Sequence, residues 1–349
     1  MNKKLLTIAI AGAMAAPMTA HAIKWKMSGQ VNRAVSIMDD GMQSDIRSTD
    51  NGAATTRVRV RVSEGRRSGM TVGPYWELCL NSSPASRARP DADTDADRGV
   101  TIRQANVWFS GNWGKLTLGH ASEASDGTTG ADLSGTNLTH SRAGSTDNSA
   151  GIGLQLSDGP GSISRGSTYS KYDGGRRDVI RYDSPKLGPV GIAASVNNDQ
   201  GWSASAKVKT GLGGGQLSAA LGYTHDTGGR SIESIWGMSA SYSFSQGTSI
   251  SGHYADRETE GGADSDSFSI SLGHKWGVHA VQATYSEGND HATGIMNSES
   301  TGYAIEYVHN LKKVNTQLYA GYLHAELDAT GLNYEDIDVF TVGARVKFD

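Results

Sequence analysis

The chain has 349 residues and one cysteine, Cys79, which excludes an intrachain disulfide. Beyond its first residues it has no apolar run long enough for a membrane helix. It also has no excess of basic charge: 32 Lys and Arg stand against 36 Asp and Glu, a net charge of −4. That balance argues against a nucleic-acid partner, which would need net basic character or a strong basic patch. Prolines number only 7 against 45 glycines, a ratio that suits many tight turns between strands rather than disorder. The ten histidines show no HExxH spacing, and no Gly-x-Ser-x-Gly elbow is present. Gly211-Leu-Gly-Gly-Gly215 lacks the lysine and helix of a phosphate loop and suits a hairpin turn. No enzymatic activity, cofactor or metal is therefore expected, and Cys79 is read as an isolated thiol.

What is present begins with an export signal. Lys3 and Lys4, an apolar stretch from Leu5 to Ala16 and the small-x-small site Ala20-His21-Ala22 predict removal of residues 1–22. Cleavage takes two positive charges from the −4 of the whole chain, leaving about −6 on residues 23–349. That remainder is expected to form one domain.

Arg57-Val58-Arg59-Val60-Arg61-Val62 alternates charge and hydrocarbon over six residues. On a strand this places three arginines in a column on one face and three valines on the other. Such a strand separates two different media. A solvated basic sheet, a nucleic-acid ribbon and a wall between lipid and water all satisfy it.

The rest of the chain favours the wall. Alternating segments predict sixteen strands, at 24–37, 55–63, 70–80, 100–110, 115–120, 177–184, 190–197, 202–210, 215–225, 232–245, 248–258, 265–276, 278–287, 301–310, 314–326 and 337–348. Short connectors alternate with longer ones, as in an up-and-down barrel with short periplasmic turns and longer outer loops. Mean hydropathy of −0.43 does not oppose this, because barrel strands expose apolar residues at alternate positions only. Residues 38–54 and 81–99 read as the first two outer loops. The connector 121–176 is far longer than the others, and a loop of that length is expected to be functional. We expect it to fold into the lumen and narrow it, with a strand of its own near Ile152, Leu154 and Leu156.

Two segments then become recognisable. Residues 101–119, Thr-Ile-Arg-Gln-Ala-Asn-Val-Trp-Phe-Ser-Gly-Asn-Trp-Gly-Lys-Leu-Thr-Leu-Gly, resemble the strand-turn-strand before the constriction loop of Gram-negative porins. Residues 178–188, Asp-Val-Ile-Arg-Tyr-Asp-Ser-Pro-Lys-Leu-Gly, are similar to the motif that follows that loop. Residues 27–33 and 342–348 fit the first and last strands. The resemblance implies an all-β transmembrane antiparallel barrel of 16 strands, a homotrimer in the outer membrane of a Gram-negative bacterium, with both termini periplasmic. It implies a water-filled channel for passive diffusion of ions and small hydrophilic solutes, in contact with outer-membrane lipid and lipopolysaccharide. It also implies acids on the third loop facing basic residues on the wall, with Arg181 as the wall arginine and its neighbours Ile180 and Tyr182 outward.

The expected basic pore lining is Arg57, Arg59, Arg61 and Arg181, and the expected acidic lining is Glu77, Glu123, Asp126 and Asp132. For Glu77 a cross-strand ion pair with the arginine column is the alternative. Trp and Tyr near strand ends suit interfacial girdles. Asp91, Asp93, Asp95 and Asp97 resemble the start of a calcium loop, but Ala96 and Ile102 stand where glycine and glutamate are needed. A solvated loop that latches onto a neighbouring subunit is the expectation there. Pro74 inside a strand predicts a bulge. Arg33 falls on the outward face, where a rim position or a subunit contact would accommodate it. Asp349 follows Phe348, blurring the aromatic ending usual in the family. A solute-specific channel of the same fold, a barrel enzyme and a secreted soluble β-protein are the other readings.

Overall fold

The computed structural model describes residues 23–65, 69–91, 99–139, 146–170, 172–225, 232–260, 264–292, 295 and 297–349. The export signal and Asp93, Asp95 and Asp97 lie outside the described residues.

The chain is an antiparallel meander. Its strands are β1 (Lys24–Asp39), β2 (Ser44–Asp50), β3 (Arg57–Gly65), β4 (Thr71–Asn81), β5 (Gly99–Gly111), β6 (Gly114–Ser122), β7 (Gly153–Gln155), β8 (Ser162–Ser164), β9 (Arg176–Asp183) and β10 (Val190–Asn197). There follow β11 (Trp202–Leu212), β12 (Gly215–His225), β13 (Ile232–Ser243), β14 (Thr248–Thr259), β15 (Ser265–Trp276), β16 (His279–Asn289), β17 (Glu299–Leu311), β18 (Thr316–Ala329), β19 (Leu332–Asn333) and β20 (Ile337–Phe348). Each wall strand pairs with the next, β6 pairs with β9, and β20 closes on β1 from Gly29↔Phe348 to Asp39↔Asp338. Sixteen strands build the closed wall, because β2 and β3 are two segments of one strand and β7, β8 and β19 belong to loops.

The split second strand departs from the sequence reading. Residues 38–54 are not a long loop: the chain turns at Asp40–Gln43, where Asp40 N–H donates to the Gln43 carbonyl at 3.1 Å. It then runs back along β1 from Asp39↔Ser44 to Arg33↔Asp50. Pairing stops at Asn51–Thr56 and resumes from Gln30↔Arg57 to Lys24↔Ser63. The signal was weak because β2 carries one large apolar residue, Ile46, and ends in the turn-like Asp50-Asn51-Gly52.

The expected bulge at Pro74 is also absent. Pro74 pairs with Val107 in unbroken register. On the other side the ladder lapses opposite Val62 and Ser63 without slipping, since proline has no N–H to offer. The bulge lies further along, between Glu77 and Leu78, where β5 contributes an extra residue: Glu77 faces Gln104 and Leu78 faces Ile102, leaving Arg103 between them.

Outward positions carry exposed hydrocarbon, such as Val31, Val35 and Ile37 on β1, Ile250 on β14, Ile270 and Leu272 on β15 and Ile305 on β17. The intervening positions, such as Asn32, Ser36, Ser251, Ser271 and Glu306, are buried and polar. A continuous apolar exterior around a polar interior is the inverse of a soluble barrel and matches a lipid-facing band. No helix among the described residues is long and apolar enough to cross a membrane. An apolar core lies inside the wall, where Ile152 and Leu154 of the long loop pack with Met38, Leu323, Ile337 and Val339. Ala88 belongs to the same cluster, so the described stem of the second outer loop folds onto its own barrel.

Candidate functional site

The arginine column of β3 is held by one carboxylate. The register pairs Arg59 directly with Glu77 across β3 and β4. Glu77 Oε2 accepts from Arg59 Nε at 2.6 Å and from the Tyr75 hydroxyl at 3.0 Å. Its Oε1 accepts from Arg57 Nη1 at 3.2 Å and from Arg103 Nε at 2.7 Å. Glu77 thus lies among the arginines rather than opposite them, as the ion-pair alternative had it. Arg103 reaches the cluster because the bulge turns it to the lumen beside Gln104. Sequence reasoning missed it, since strict alternation from Ile102 and Gln104 gives no sign that a register event lets both Arg103 and Gln104 share a face.

Arg61 has a different neighbour. Its guanidinium lies 4.5 Å from the centroid of the Trp108 ring, which is buried against the inner wall. No carboxylate lies within ion-pair distance of Arg61 among the described residues. Lys115 shares the inner face of β6 with Thr117, and Thr117 pairs with Arg181 on β9. Arg181 binds Asp183 with Nη2 at 2.7 Å and Nε at 3.1 Å, and its Nη1 donates to the carbonyls of Ser122 and Glu123 at 3.0 and 2.9 Å. It therefore clamps the root of the long loop. Ile180 and Tyr182 lie on the outward face.

From that root the loop follows the inner wall, bound to polar side chains that the strands point inward. Ala124 N–H donates to the hydroxyls of Ser195 and Ser203, and Ser205 donates to the Ala124 carbonyl. Ala131 and Leu133 N–H donate to Ser239 and Ser241. Thr136 donates to Gln282 at 2.7 Å. Glu306, fully buried, accepts from the N–H groups of Leu138 and Thr139 at 2.7 and 2.9 Å. Asn51 Nδ2 donates to the Leu138 carbonyl, and Gly52 N–H to Asn148 Oδ1 at 2.7 Å, in the gap between β2 and β3. Gly237 lets the loop lie flat: a Cβ there would stand 2.6 Å from Thr129 Cγ2 and 2.9 Å from the Tyr172 carbonyl. The return limb is equally fixed. Tyr172 stacks on His291 with ring centroids 4.5 Å apart, and Arg257 lies 4.6 Å over the same tyrosine.

The loop acids are tied locally. Glu123 is buried, accepting from Asn197 Nδ2 and Gly175 N–H at 3.0 Å each, with Arg177 at 3.6 Å. Asp126 lies 3.6 Å from Arg176, and its carbonyl accepts from Lys207 Nζ at 2.7 Å. Asp132 accepts from Ser134 N–H at 2.6 Å and Gln282 Nε2 at 3.1 Å. The structure thus gathers Arg57, Arg59 and Glu77 into one cluster, puts Arg61 beside it, and distributes the loop acids along the opposite course. Among the described residues, the loop makes no side-chain hydrogen bond to the inner faces of β3 to β5. At the end of the lumen that carries the termini, a concavity of about 440 Å³ is lined by Lys26, Arg59, Arg345 and Lys347 and by Asp349, which lies 3.7 Å from Lys26.

These features have parallels among known proteins. A family model described as Gram-negative porin matches residues 6–330. The chain belongs to the Gram-negative porin family. Solved structures share the porin fold at low identity. The anion-selective porin from Comamonas acidovorans aligns at TM-score 0.66 and 20% identity, covering 93% of this chain and 100% of that one. The trimer form of OmpT, an outer membrane protein of Vibrio cholerae, gives 0.60 and 16%, covering 94% and 100%. A mutant Rh. blastica porin gives 0.59 and 15%, covering 93% and 100%. No curated protein matches by sequence. The chain is an outer-membrane porin, a channel for passive diffusion, and its inner wall and inserted loop are the parts of the channel that solutes meet.

Proposed function

We propose that this porin passes small hydrophilic solutes with a preference for anions. The observation that carries the reading is the charge balance of the wall sector left uncovered by the loop. Arg57, Arg59, Arg61 and Arg103 face the lumen there, against the carboxylate of Glu77 among the described residues of those strands, while Lys115 on the neighbouring β6 pairs in register with Asp183. Selectivity in a channel follows the charges lining its narrow part. Glu123 and Asp126 each have an arginine at 3.6 Å, and Asp132 is held against Ser134 N–H and Gln282, so the loop acids offset only part of that field. The anion-selective Comamonas porin is compatible with this reading. Planar-bilayer conductance in a salt gradient tests it: the reversal potential should have the sign of anion preference. A cation-selective potential sinks it.

The same reading makes no use of catalysis. It assigns residues 1–22 to an export signal, 23–349 to a single barrel with 121–176 as its constriction loop, and both termini to the periplasmic side. A homotrimer fits the outward face of β1. Arg33 there binds Asp50 at 2.8 Å and the Ser82 hydroxyl at 2.7 Å, a charged network between the exposed Val31 and Val35. A subunit contact shelters such a network where lipid would penalise it. Elsewhere the apolar exterior meets outer-membrane lipid and lipopolysaccharide. The concavity lined by Lys26, Arg59, Arg345 and Lys347, where four basic side chains outweigh Asp349, favours a second reading, a channel specific for an anionic solute. Saturable block of chloride current by inorganic phosphate would distinguish it from simple diffusion.

A further inference from the structure

On the outside of the barrel, at the rim opposite the termini, four side chains of β18, β20 and the turn between them converge. His324 pairs in register with Asp338, and both lie on the outward face with Tyr322 and Phe340. Asp338 Oδ1 stands 3.0 Å from His324 Nδ1 and accepts the Tyr322 hydroxyl at 2.5 Å. This fixes the ring so that Nε2 faces Glu326 Oε1 at 2.9 Å and Asp336 Oδ2 at 3.9 Å. Glu326 is two residues along the same face of β18. Asp336 is delivered by the hairpin of β18 and β19, where Asp328 pairs with Asn333 and Ala329 with Leu332. The neighbouring Glu335 N–H is bonded to the Gln155 carbonyl at 2.8 Å, which anchors that turn to the inserted loop. One donor atom each from His324, Glu326 and Asp336 lies within 4.8 Å of the others.

We propose that His324, Glu326 and Asp336 bind a divalent transition-type cation such as Zn²⁺ at the outer rim, with Asp338 positioning the imidazole. Three observations support it together. An imidazole nitrogen with two carboxylate oxygens is a donor set for zinc and its neighbours rather than for magnesium or calcium, which take oxygen ligands. The second ring nitrogen is held by a carboxylate, the arrangement that orients metal-binding histidines. Three carboxylates surround a single imidazole, and no Lys or Arg pairs with Glu326, Asp336 or Asp338 among the described residues. A bound dication would offset that charge more fully than a protonated imidazole, which balances one carboxylate of the three. On binding, Nε2 presents its lone pair to the metal, and any proton it carried passes to solvent. The site lies on the outer surface, so it stands independently of the channel's selectivity.

The test uses the detergent-extracted oligomer, stripped with EDTA and titrated with Zn²⁺ by calorimetry in millimolar Ca²⁺ and Mg²⁺. One saturable Zn²⁺ per chain is expected. His324→Gln should weaken it more than tenfold while keeping the heat-modifiable mobility of the folded barrel. Asp338→Asn should keep the stoichiometry, lower affinity roughly 10–100-fold, and change the imidazole nitrogen couplings in the spin-echo spectrum of the Cu²⁺-loaded protein. That spectrum on the unsubstituted oligomer should show one coupled imidazole, and it decides the matter if His324→Gln does not fold. Absence of saturable uptake, uptake unchanged in His324→Gln, complete displacement by millimolar Ca²⁺, or no imidazole coupling would each overturn the site and leave a histidine–carboxylate ion-pair cluster.

Discussion

Arg59 and Glu77 are direct cross-strand partners, 2.6 Å apart, and the same carboxylate holds Arg57 and Arg103. One negative charge thus organises three positive ones, and the cluster keeps a net positive field while its side chains stay fixed. Replacing Glu77 with Gln should raise anion preference, read as a larger reversal potential in a salt gradient. It should also lower barrel stability by about 1.5–3 kcal/mol, because charge-assisted hydrogen bonds are lost from a nearly buried site. An unchanged reversal potential would place the cluster outside the zone that selects ions.

Arg61 separates from the rest of its column. It stacks over Trp108 and meets no carboxylate among the described residues, whereas Arg57 and Arg59 share Glu77. Arg61→Gln should therefore shift selectivity toward cations more than Arg57→Gln or Arg59→Gln does singly. Reversal potentials of the three variants, compared at one salt gradient, check the order. Equal shifts would mean that the Glu77 carboxylate screens nothing.

Glu306 takes both N–H groups of Leu138 and Thr139, and Gly321 lies against the Thr139 side chain. The loop rests there on two features that a larger or neutral side chain would spoil. Glu306→Gln leaves one oxygen where two accepted, and Gly321→Val inserts a branched side chain into the contact. Both variants should release this stretch of loop from the wall, seen as noisier single-channel current and faster proteolytic cleavage between residues 123 and 175. Currents as quiet as those of the unsubstituted channel would show that the remaining bonds suffice.

His291 gives the loop a pH dependence. Burial holds its imidazole down to about 4, against an ordinary value near 6.5. Its Nε2 faces the Asp266 carbonyl at 2.6 Å, so Nε2 carries the proton and Nδ1 accepts from the Tyr172 hydroxyl at 2.7 Å. Arg257 over Tyr172 opposes a second positive charge, and Asp290 only partly favours it. The unfolded or released state binds a proton between pH 6.5 and 4 that the packed state refuses. Stability is therefore complete above about 6.5, falls as pH drops toward 4 by up to about 3 kcal/mol, and falls no further from this group below 4. Acid should accelerate hydrogen exchange around Tyr172, and His291→Phe should remove that dependence.

The sequence made the wall legible and hid much of what the wall holds. Arg57 to Val62 alternate without a break, so their two faces could be assigned before any contact was known. The same rule failed at β2, where Ser44 to Asp50 offer only Ile46 as apolar signal, and at Arg103, whose inward turn is a register event between two strands. Ser239 and Ser241 show their role only once Ala131 and Leu133 are seen donating to them. Residues 121–176 could be read as a functional loop by length. Its acids could not be placed, because Glu123 and Asp132 find their partners in Asn197 and Gln282, far along the chain.

Arg165 is a buried cation of the loop with few partners. It is fully buried where the loop meets the wall, with Nη1 donating to the Ser149 hydroxyl at 2.9 Å, while Nε has no hydrogen-bond partner. Desolvation pushes its pKa down to about 10. A buried ion without a carboxylate partner forfeits its hydration for little return, and replacing such a group with hydrocarbon of similar volume is often neutral or stabilising. Met has the length to fill the site and the flexibility to adapt to it. Arg165→Met should therefore keep or raise the temperature at which the folded barrel melts, by 0 to about 3 kcal/mol of stability. The reversal potential should not move, since a side chain sealed between loop and wall contributes little to the field in the water-filled lumen. Thermal unfolding of the detergent-solubilised protein, followed by its heat-modifiable mobility, checks the first expectation, and bilayer measurements check the second. A large loss of stability would mean that the guanidinium is held by more than Ser149. A shift toward cations would mean that its charge reaches the permeating ions.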